Sequence, residues 1–175
     1  MRVVFMGTPD FSVPTLEKII AAGHQVVGVV TQPDKAKGRG RHIIYPPVKE
    51  TALKYGLEVY QPRRVREPEF IEQLKAMAPD VIVVIAFGQI LPKEILQLPP
   101  YGCINVHASL LPKYRGAAPV QWAVIRGETV SGVTTMRMDE GLDTGDMILK
   151  ESLPLADDET GGSLYEKLSK LGGDL

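Results

Sequence analysis

Two polar side chains are predicted to lie close together at the end of a buried strand. The predicted strand covers Cys103–His107 and carries Asn105 and His107, here called the polar pair, two positions apart. Side chains two apart on a strand point to the same face of the sheet. A carboxamide and an imidazole can donate hydrogen bonds, and the imidazole can also move a proton. They could equally tie down the following loop, because buried polar groups need partners. The pair alone leaves both interpretations open.

The sequence lacks the motifs of several other enzyme classes. His107, Ser109 and Asp143 supply the residue types of a hydrolytic triad, but Ser109 is not part of a G-x-S-x-G elbow. The turn after the first predicted strand has a single glycine, Gly7, which disfavours NAD binding, and there is no P-loop. The acidic residues 139–146 lack the ligand spacing of a calcium loop. The three histidines are scattered, so no metal site is expected.

The elements around the polar pair alternate between strand and helix. The hydrophobic pattern predicts strands at 2–6, 25–31, 57–60, 80–86, 103–107, 130–138 and 147–155, and helices at 13–22, 48–55, 68–77, 119–126 and 163–171. Ser12 is expected to cap the first helix, and residues 32–46 to form a long loop. We therefore predict an α/β fold, a Rossmann-like open and mostly parallel sheet with helices on both faces. Ligands of such sheets bind at the carboxyl ends of the strands, where the polar pair lies.

Length and composition are those of one soluble globular domain. The 175 residues are 44% hydrophobic and 23% charged, which excludes a disordered or collagen-like chain. With 20 basic and 21 acidic residues the net charge is −1, so bulk charge gives no sign of a nucleic-acid partner. A single cysteine, Cys103, excludes an internal disulfide framework, and no apolar run is long enough to span a membrane. We therefore expect a cytoplasmic location and no membrane contact.

The segment around the polar pair resembles the signature of the folate-dependent formyltransferases, which use 10-formyltetrahydrofolate. It reads N-x-H-x-S-L-L-P from Asn105 to Pro112, with Gly116 after it. The spacing of Asn105, His107 and Asp143 matches the Asn–His–Asp trio of that family. Further matches at residues 5–11, 29–34, 38–40, 86–92 and 121–123 narrow the resemblance to the branch that formylates initiator methionyl-tRNA. The resemblance covers essentially the whole chain.

The resemblance implies transfer of the formyl group of 10-formyltetrahydrofolate to the amino group of methionine on initiator methionyl-tRNA, for bacterial-type translation initiation. Asn105, His107 and Asp143 are then the catalytic residues. Attack of the amine on the formyl carbon places negative charge on oxygen, and the Asn105 amide can stabilise that charge by about 3 kcal/mol. His107 can bond the same oxygen and act as general acid or base. Asp143 would stabilise the imidazolium form of His107.

Two segments are expected to bind the folate cosubstrate. A flat pterin needs apolar walls together with backbone donors and acceptors for its edge. By resemblance, the folate-binding residues are Phe87, Gly88, Gln89, Ile90 and Leu91 after the central strand, and Ser109, Leu110, Leu111 and Pro112 after the polar pair. The simpler interpretation of the aliphatic residues among them is ordinary core, and several are expected to serve both purposes.

Basic residues concentrate in the predicted loop 32–46. Lys35, Lys37, Arg39 and Arg41 against Asp34 give a local net charge of +3, near the sheet edge that holds the polar pair. Arg39 matches the arginine of the family's tRNA-wedging loop, so we expect these four basic residues to bind tRNA. We interpret Arg63, Arg64 and Arg66 as solvated surface residues rather than as tRNA-binding residues.

Other functions stay open on the residues alone. A formyltransferase acting on a small amine, such as glycinamide ribonucleotide or an amino sugar, would keep Asn105, His107 and Asp143 without needing the basic loop. A hydrolase would release formate without an acceptor, and a folate- or nucleotide-binding module would not react at all. The resemblance also implies that residues 1–175 are the catalytic domain, expected to be monomeric, and that the family's C-terminal β-barrel (OB-like) domain has no counterpart in this sequence.

Overall fold

Strands and helices alternate along the part of the chain that the computed structural model describes, residues 1–40 and 42–175. The strands are β1 (Arg2–Gly7), β2 (Gln25–Val30), β3 (Lys35–Lys37), β4 (His42–Ile44), β5 (Val59–Tyr60), β6 (Val81–Ile85), β7 (Cys103–His107), β8 (Val130–Arg137) and β9 (Met147–Pro154). The helices are α1 (Val13–Ala21), α2 (Pro47–Lys54), α3 (Pro68–Met77), α4 (Lys93–Leu96), α5 (Pro119–Ile125) and α6 (Gly161–Asp174). Among these described residues no helix has the length and apolar character needed to cross a membrane.

Seven strands form one sheet in the order β5-β2-β1-β6-β7-β8-β9. Neighbouring strands from β5 to β7 are parallel, whereas β8 runs antiparallel to β7, and β9 antiparallel to β8. The predicted open, mostly parallel sheet is therefore confirmed. Because β1, β6 and β7 are adjacent and parallel, the loops that follow them meet at one edge of the sheet. This edge is where the polar pair lies.

Helices cover both faces of the sheet, as the continuous apolar strands predict. One face carries a buried cluster that includes Leu74 of α3 and Ile95 of α4. The other face carries a second cluster with Leu16 of α1, Val120 of α5 and Leu164 of α6. Alternate residues of β1, β2 and β6 enter the two clusters, so the sheet separates two layers of core.

Three local features differ from the sequence prediction. Ser12 occupies the N-cap position of α1, as expected, but its side chain makes no capping bond: it ends a short 3-10 turn, Asp10–Ser12, and its hydroxyl donates to the carbonyl of Ile85 at 2.7 Å. The segment predicted as a long loop contains the antiparallel hairpin of β3 and β4. The short helix α4 was not expected, because four residues are too few to show a helical period.

Candidate active site

The two residues of the polar pair share one face of β7, as predicted. They lie at the carboxyl end of the strand, opposite Met136 and Thr134 of β8. His107 is buried, with 8% of its surface exposed, and Asn105 is half-buried. Nε2 of His107 lies 2.8 Å from the carbonyl oxygen of Tyr114. Because a carbonyl oxygen can only accept, Nε2 is the donor in this bond, which fixes the orientation of the ring.

Asp143 approaches the polar pair from the loop between β8 and β9. Its Oδ2 lies 3.6 Å from Nδ1 of His107, and its Oδ1 accepts a hydrogen bond from Nδ2 of Asn105 at 3.5 Å. The amide of Gly116 donates to Oδ2 at 2.8 Å, and Asp143 has a left-handed backbone with φ of 51°. The fold thus brings together the three residues that the sequence singled out. Both ring nitrogens of His107 face oxygen atoms, so the ring can donate two hydrogen bonds when it carries a second proton.

A cavity of about 390 Å³ opens beside the polar pair and includes both residues in its wall. Phe87 and Met138, which belong to the apolar cluster on one face of the sheet, line it together with Phe11 and Tyr165 from the cluster on the other face. The cavity therefore crosses the carboxyl edge of the sheet and has an apolar wall on each side. Its size and its few polar groups are those of a small-molecule site.

Hydrogen bonds between loops hold the segment that follows β6 in place. The Thr8 hydroxyl donates to the carbonyl of Phe87 at 2.8 Å and accepts from the amide of Gln32 at 3.2 Å. Farther along, Oε1 of Gln89 accepts from the amide of Val65 at 2.9 Å. Loops that follow four different strands thus contribute hydrogen bonds that hold this wall of the cavity.

The residues expected to bind folate fall into two groups. Phe87, Gly88 and Gln89 line the cavity, whereas the next residue, Ile90, is 92% exposed and Leu91 is buried. The second segment lies elsewhere: Ser109, Leu110, Leu111 and Pro112 are not among the residues that line this cavity. The Ser109 hydroxyl instead donates to the carbonyl of Lys113 at 2.6 Å. A folate-binding role for this second segment stays a prediction.

Three of the four basic residues expected to bind tRNA lie on the hairpin of β3 and β4. Lys35, Lys37 and Arg39 are exposed, and Arg41 lies outside the described residues. Asp34, at the base of the hairpin, pairs with Nζ of Lys49 at 2.7 Å. Burial acts to raise the pKa of the Asp34 carboxyl, but hydrogen bonds from neighbouring side chains outweigh it and leave that pKa below its usual value. The charge of Asp34 is therefore already compensated, and the hairpin is more basic than the count along the sequence suggests.

The remaining arginines that the sequence drew attention to belong to a different segment of the chain. Arg63, Arg64 and Arg66 follow β5 and are exposed, in keeping with the solvated surface preferred from the sequence.

Two aromatic residues of the cavity were not anticipated from the sequence. The rings of Phe11 and Tyr165 lie 5.0 Å apart, and the Tyr165 hydroxyl donates to Oδ1 of Asp10 at 2.6 Å. Burial and this hydrogen bond raise the pKa of Tyr165 to about 12. Phe11 could have been suspected because it directly follows the turn after β1. Tyr165 gave no such signal, since it comes from α6 rather than from a strand end.

The structure also bears on metal-dependent and thiol-dependent chemistry near the cavity. In residues 1–40 and 42–175 no three His, Cys, Asp or Glu side chains cluster so as to hold a metal ion. Cys103 begins the strand that carries the polar pair, but burial raises the pKa of its thiol to about 12. Its sulfur is therefore a poor nucleophile at neutral pH.

Comparison with known proteins connects this geometry to a family. Residues 1–175 match the family model described as formyl transferase. A methionyl-tRNA formyltransferase from Agathobacter rectalis is 67% identical over 175 residues, and one from Lachnospira eligens is 61% identical over the same length. Both alignments cover 100% of this chain and 56% of the relative, so the chain spans about half the length of the curated relatives it matches.

Solved structures share the fold at much lower sequence identity. The glycinamide ribonucleotide transformylase 1 of Symbiobacterium toebii superposes with a TM-score of 0.83 at 19% identity, covering 100% of this chain and 83% of that one. The TM-score shows a common fold, whereas an identity this low says nothing about a common acceptor.

Proposed function

The chain belongs to the formyl transferase family, and from this premise we propose that it transfers a formyl group from 10-formyltetrahydrofolate to the amino group of methionine on initiator methionyl-tRNA. The observation that carries the proposal is the convergence of three side chains, two of which line the cavity. Asp143 lies within 3.6 Å of both His107 and Asn105, at the carboxyl edge of the sheet. An amide, an imidazole and a carboxylate in contact can stabilise an oxyanion and transfer protons, which are the two contributions that favour acyl transfer to an amine.

The choice of acceptor rests on relatedness. The relatives with 61–67% identity across the whole chain are methionyl-tRNA formyltransferases, whereas the glycinamide ribonucleotide transformylase shares 19%. The exposed basic hairpin fits a phosphate-rich acceptor better than a small amine. Both features favour methionyl-tRNA over glycinamide ribonucleotide.

Asn105 would stabilise the oxygen that becomes negative during transfer. As the amine attacks, a C–N bond forms at the formyl carbon and the carbonyl electrons move to oxygen. The Asn105 amide carries two N–H groups, and its 3.5 Å bond to Asp143 uses only one of them. The other is available to the developing oxyanion, for which a comparable donor contributes about 3 kcal/mol.

His107 is the group that would carry the proton. The attacking amine must lose a proton, and the leaving nitrogen of the folate must gain one when its C–N bond breaks. Nε2 of His107 is engaged by the carbonyl of Tyr114, while Nδ1 faces Asp143 at 3.6 Å. A proton accepted at Nδ1 would lie beside the carboxylate, which stabilises the positive ring until the proton is returned.

The two walls of the cavity suit the two substrates. On the side of Phe87 and Gln89, the residue that follows Gln89 in the chain, Ile90, has a large aliphatic side chain that is 92% exposed. Exposed apolar side chains next to a cavity are typical of a binding surface, and we assign this side to the folate. On the other side Phe11 and Tyr165 form an aromatic pair. Thioethers pack favourably against aromatic rings, so we assign this side to the methionyl group.

The hairpin of β3 and β4 would contact the tRNA backbone. Replacing Lys37 and Arg39 by alanine should raise the KM for methionyl-tRNA and lower its dependence on salt, because fewer phosphate charges are neutralised. Folate affinity should not change. Arg66→Ala, an exposed arginine after β5, is the matched control. Equal KM values for the hairpin variant and the control would contradict a role of the hairpin in binding tRNA.

The acceptor assay tests the proposal directly. The protein is incubated with 10-formyltetrahydrofolate labelled in the formyl group and with methionyl-tRNA, glycinamide ribonucleotide or no acceptor. The proposal expects labelled formylmethionine, and far slower labelling with His107→Ala. Transfer to glycinamide ribonucleotide instead of methionyl-tRNA would show that the proposed acceptor is wrong. Release of formate without an acceptor would show that the enzyme is a hydrolase and not a transferase. The chain spans 56% of the length of its relative. The assay should therefore extend to high tRNA concentrations, at which weak binding of tRNA would still give product.

A further inference from the structure

Three consecutive residues of the loop between β7 and α5 hold the reacting side chains. The carbonyl of Tyr114 accepts from Nε2 of His107 at 2.8 Å, and the amide of Gly116 donates to the Asp143 carboxylate at 2.8 Å. Between them, Nε of Arg115 donates to the backbone carbonyl of Asp143 at 3.1 Å. The position of this loop therefore sets the position of both His107 and Asp143.

The backbone at Tyr114 needs support from outside the loop. Its φ is 55°, in the left-handed region that residues with a side chain rarely adopt. A tyrosine in this conformation persists only when its surroundings hold it. The only bond of its phenol within the described residues is to Oε1 of Glu128, at 2.6 Å. Glu128 lies in the turn after α5, and its carboxylate also binds Nζ of Lys113 at 3.1 and 3.2 Å.

The charges at this contact are arranged for a phenol that donates to a carboxylate. The hydrogen bond to Glu128 raises the pKa of the Tyr114 phenol above its usual value. The bonds from Tyr114 and then Lys113 hold the pKa of the Glu128 carboxyl below its usual value. At neutral pH the phenol is thus protonated and the carboxylate ionised, which is the stronger form of this hydrogen bond. Neither side chain is among the residues that line the cavity of the polar pair.

We propose that Glu128 is a positioning residue for formyl transfer, which acts by holding the Tyr114 phenol and through it the carbonyl that orients His107. The inference rests on the proposed function and adds a residue to it. The Tyr114 carbonyl fixes the proton of His107 on Nε2 and leaves Nδ1 towards Asp143. If the Tyr114 backbone relaxes, the imidazole loses this constraint and samples orientations in which Nδ1 no longer faces the carboxylate.

Kinetics of two variants test the proposal. Tyr114→Phe and Glu128→Ala each remove the hydrogen bond and should lower kcat about tenfold, with KM for both substrates unchanged. The double variant should be no slower than either single one, because both remove the same contact. Glu128→Gln keeps an acceptor for the phenol and should restore most of kcat. Tyr55→Phe and Glu69→Gln, both exposed, are matched controls expected to retain the wild-type rate.

A spectroscopic measurement makes the test independent of turnover. The chain has three histidines, so 15N-histidine labelling gives few ring signals, and His107→Gln identifies those of His107. Without substrate, the wild type should show His107 with its proton fixed on Nε2, and Tyr114→Phe and Glu128→Ala should both shift that signal. Unchanged ring signals overturn the proposal, whether kcat holds or falls together with thermal stability. Shifted signals in a protein whose wild type transfers no formyl group would overturn the proposed function instead.

Discussion

Replacing Gly145 by alanine tests the loop that carries Asp143. A Cβ on Gly145 would lie 1.7 Å from the carbonyl oxygen of Arg137 and 2.8 Å from its carbonyl carbon. Nonbonded heavy atoms prefer separations above 3 Å, so the loop must move by roughly 1.5 Å. Both clashing atoms belong to the backbone of β8, and the adjacent amide of Arg137 is bonded to the carbonyl of Asp146 at 2.8 Å. A side-chain rotation therefore cannot relieve the contact.

The displacement reaches the reacting groups, because Asp143 is two residues away. A shift of this size breaks the 2.8 Å bond from the Gly116 amide and draws the carboxylate away from His107. Misplacing a catalytic group by about 1 Å costs about 100-fold in rate, equivalent to about 2.7 kcal/mol of activation free energy. We therefore expect kcat to fall about 100-fold. Overpacking should also lower the free energy of unfolding by about 1–3 kcal/mol.

Single-turnover formyl transfer measures the first effect and urea unfolding the second. Gly161→Ala is the matched control, because a Cβ there has no atom within 4 Å. It should transfer at the wild-type rate. A Gly145→Ala protein that also transfers at the wild-type rate, with Asp143 bonded as before, would refute the reasoning that this loop is fixed and that its position controls turnover.

Two further predictions concern stability. Thr134→Val should lower the free energy of unfolding by about 2–4 kcal/mol. The reason is that the buried Thr134 hydroxyl both donates to the carbonyl of Ser109 at 2.7 Å and accepts from the amide of Leu111 at 3.1 Å. A loss below about 0.5 kcal/mol in urea unfolding would contradict this prediction. A hydrogen bond from Lys167 holds the pKa of Glu159 at about 2, so Glu159 stabilises the fold fully above about pH 4.5 and loses this effect as the pH falls towards 2. The gap in Tm between wild type and Glu159→Gln should therefore shrink between pH 7 and pH 3, and a constant gap would argue against the shifted pKa.

The fold could be predicted because its signals are local. Each central strand is buried on both sides and appears as a short apolar run, such as Val81–Ile85. The hairpin of β3 and β4 escaped prediction since all six of its residues are exposed, and a strand without a buried face shows no alternation. Ser12 stands at the predicted N-cap position, but its side chain makes no capping bond for a tertiary reason, because its hydroxyl donates to the carbonyl of Ile85 on another strand.

The candidate site was only partly accessible from the sequence. Asn105 and His107 stood out because two polar residues at the end of a buried strand are unusual, and the topology brings Asp143 to them. Tyr165 could not be found in this way, because it reaches the cavity from α6, 154 residues beyond Phe11 in the chain. The contact between Tyr114 and Glu128 is equally invisible, since it depends on how the turn after α5 packs against the loop after β7.

The central claim is that Asn105 and His107 carry out the chemistry of formyl transfer. Its most direct test is the single-turnover rate of transfer to methionyl-tRNA by the wild type, Asn105→Ala and His107→Ala, with folate affinity measured on the same samples. The account predicts rates lower by about 100- to 1,000-fold in both variants and an unchanged folate affinity. Transfer by either variant at close to the wild-type rate would contradict it.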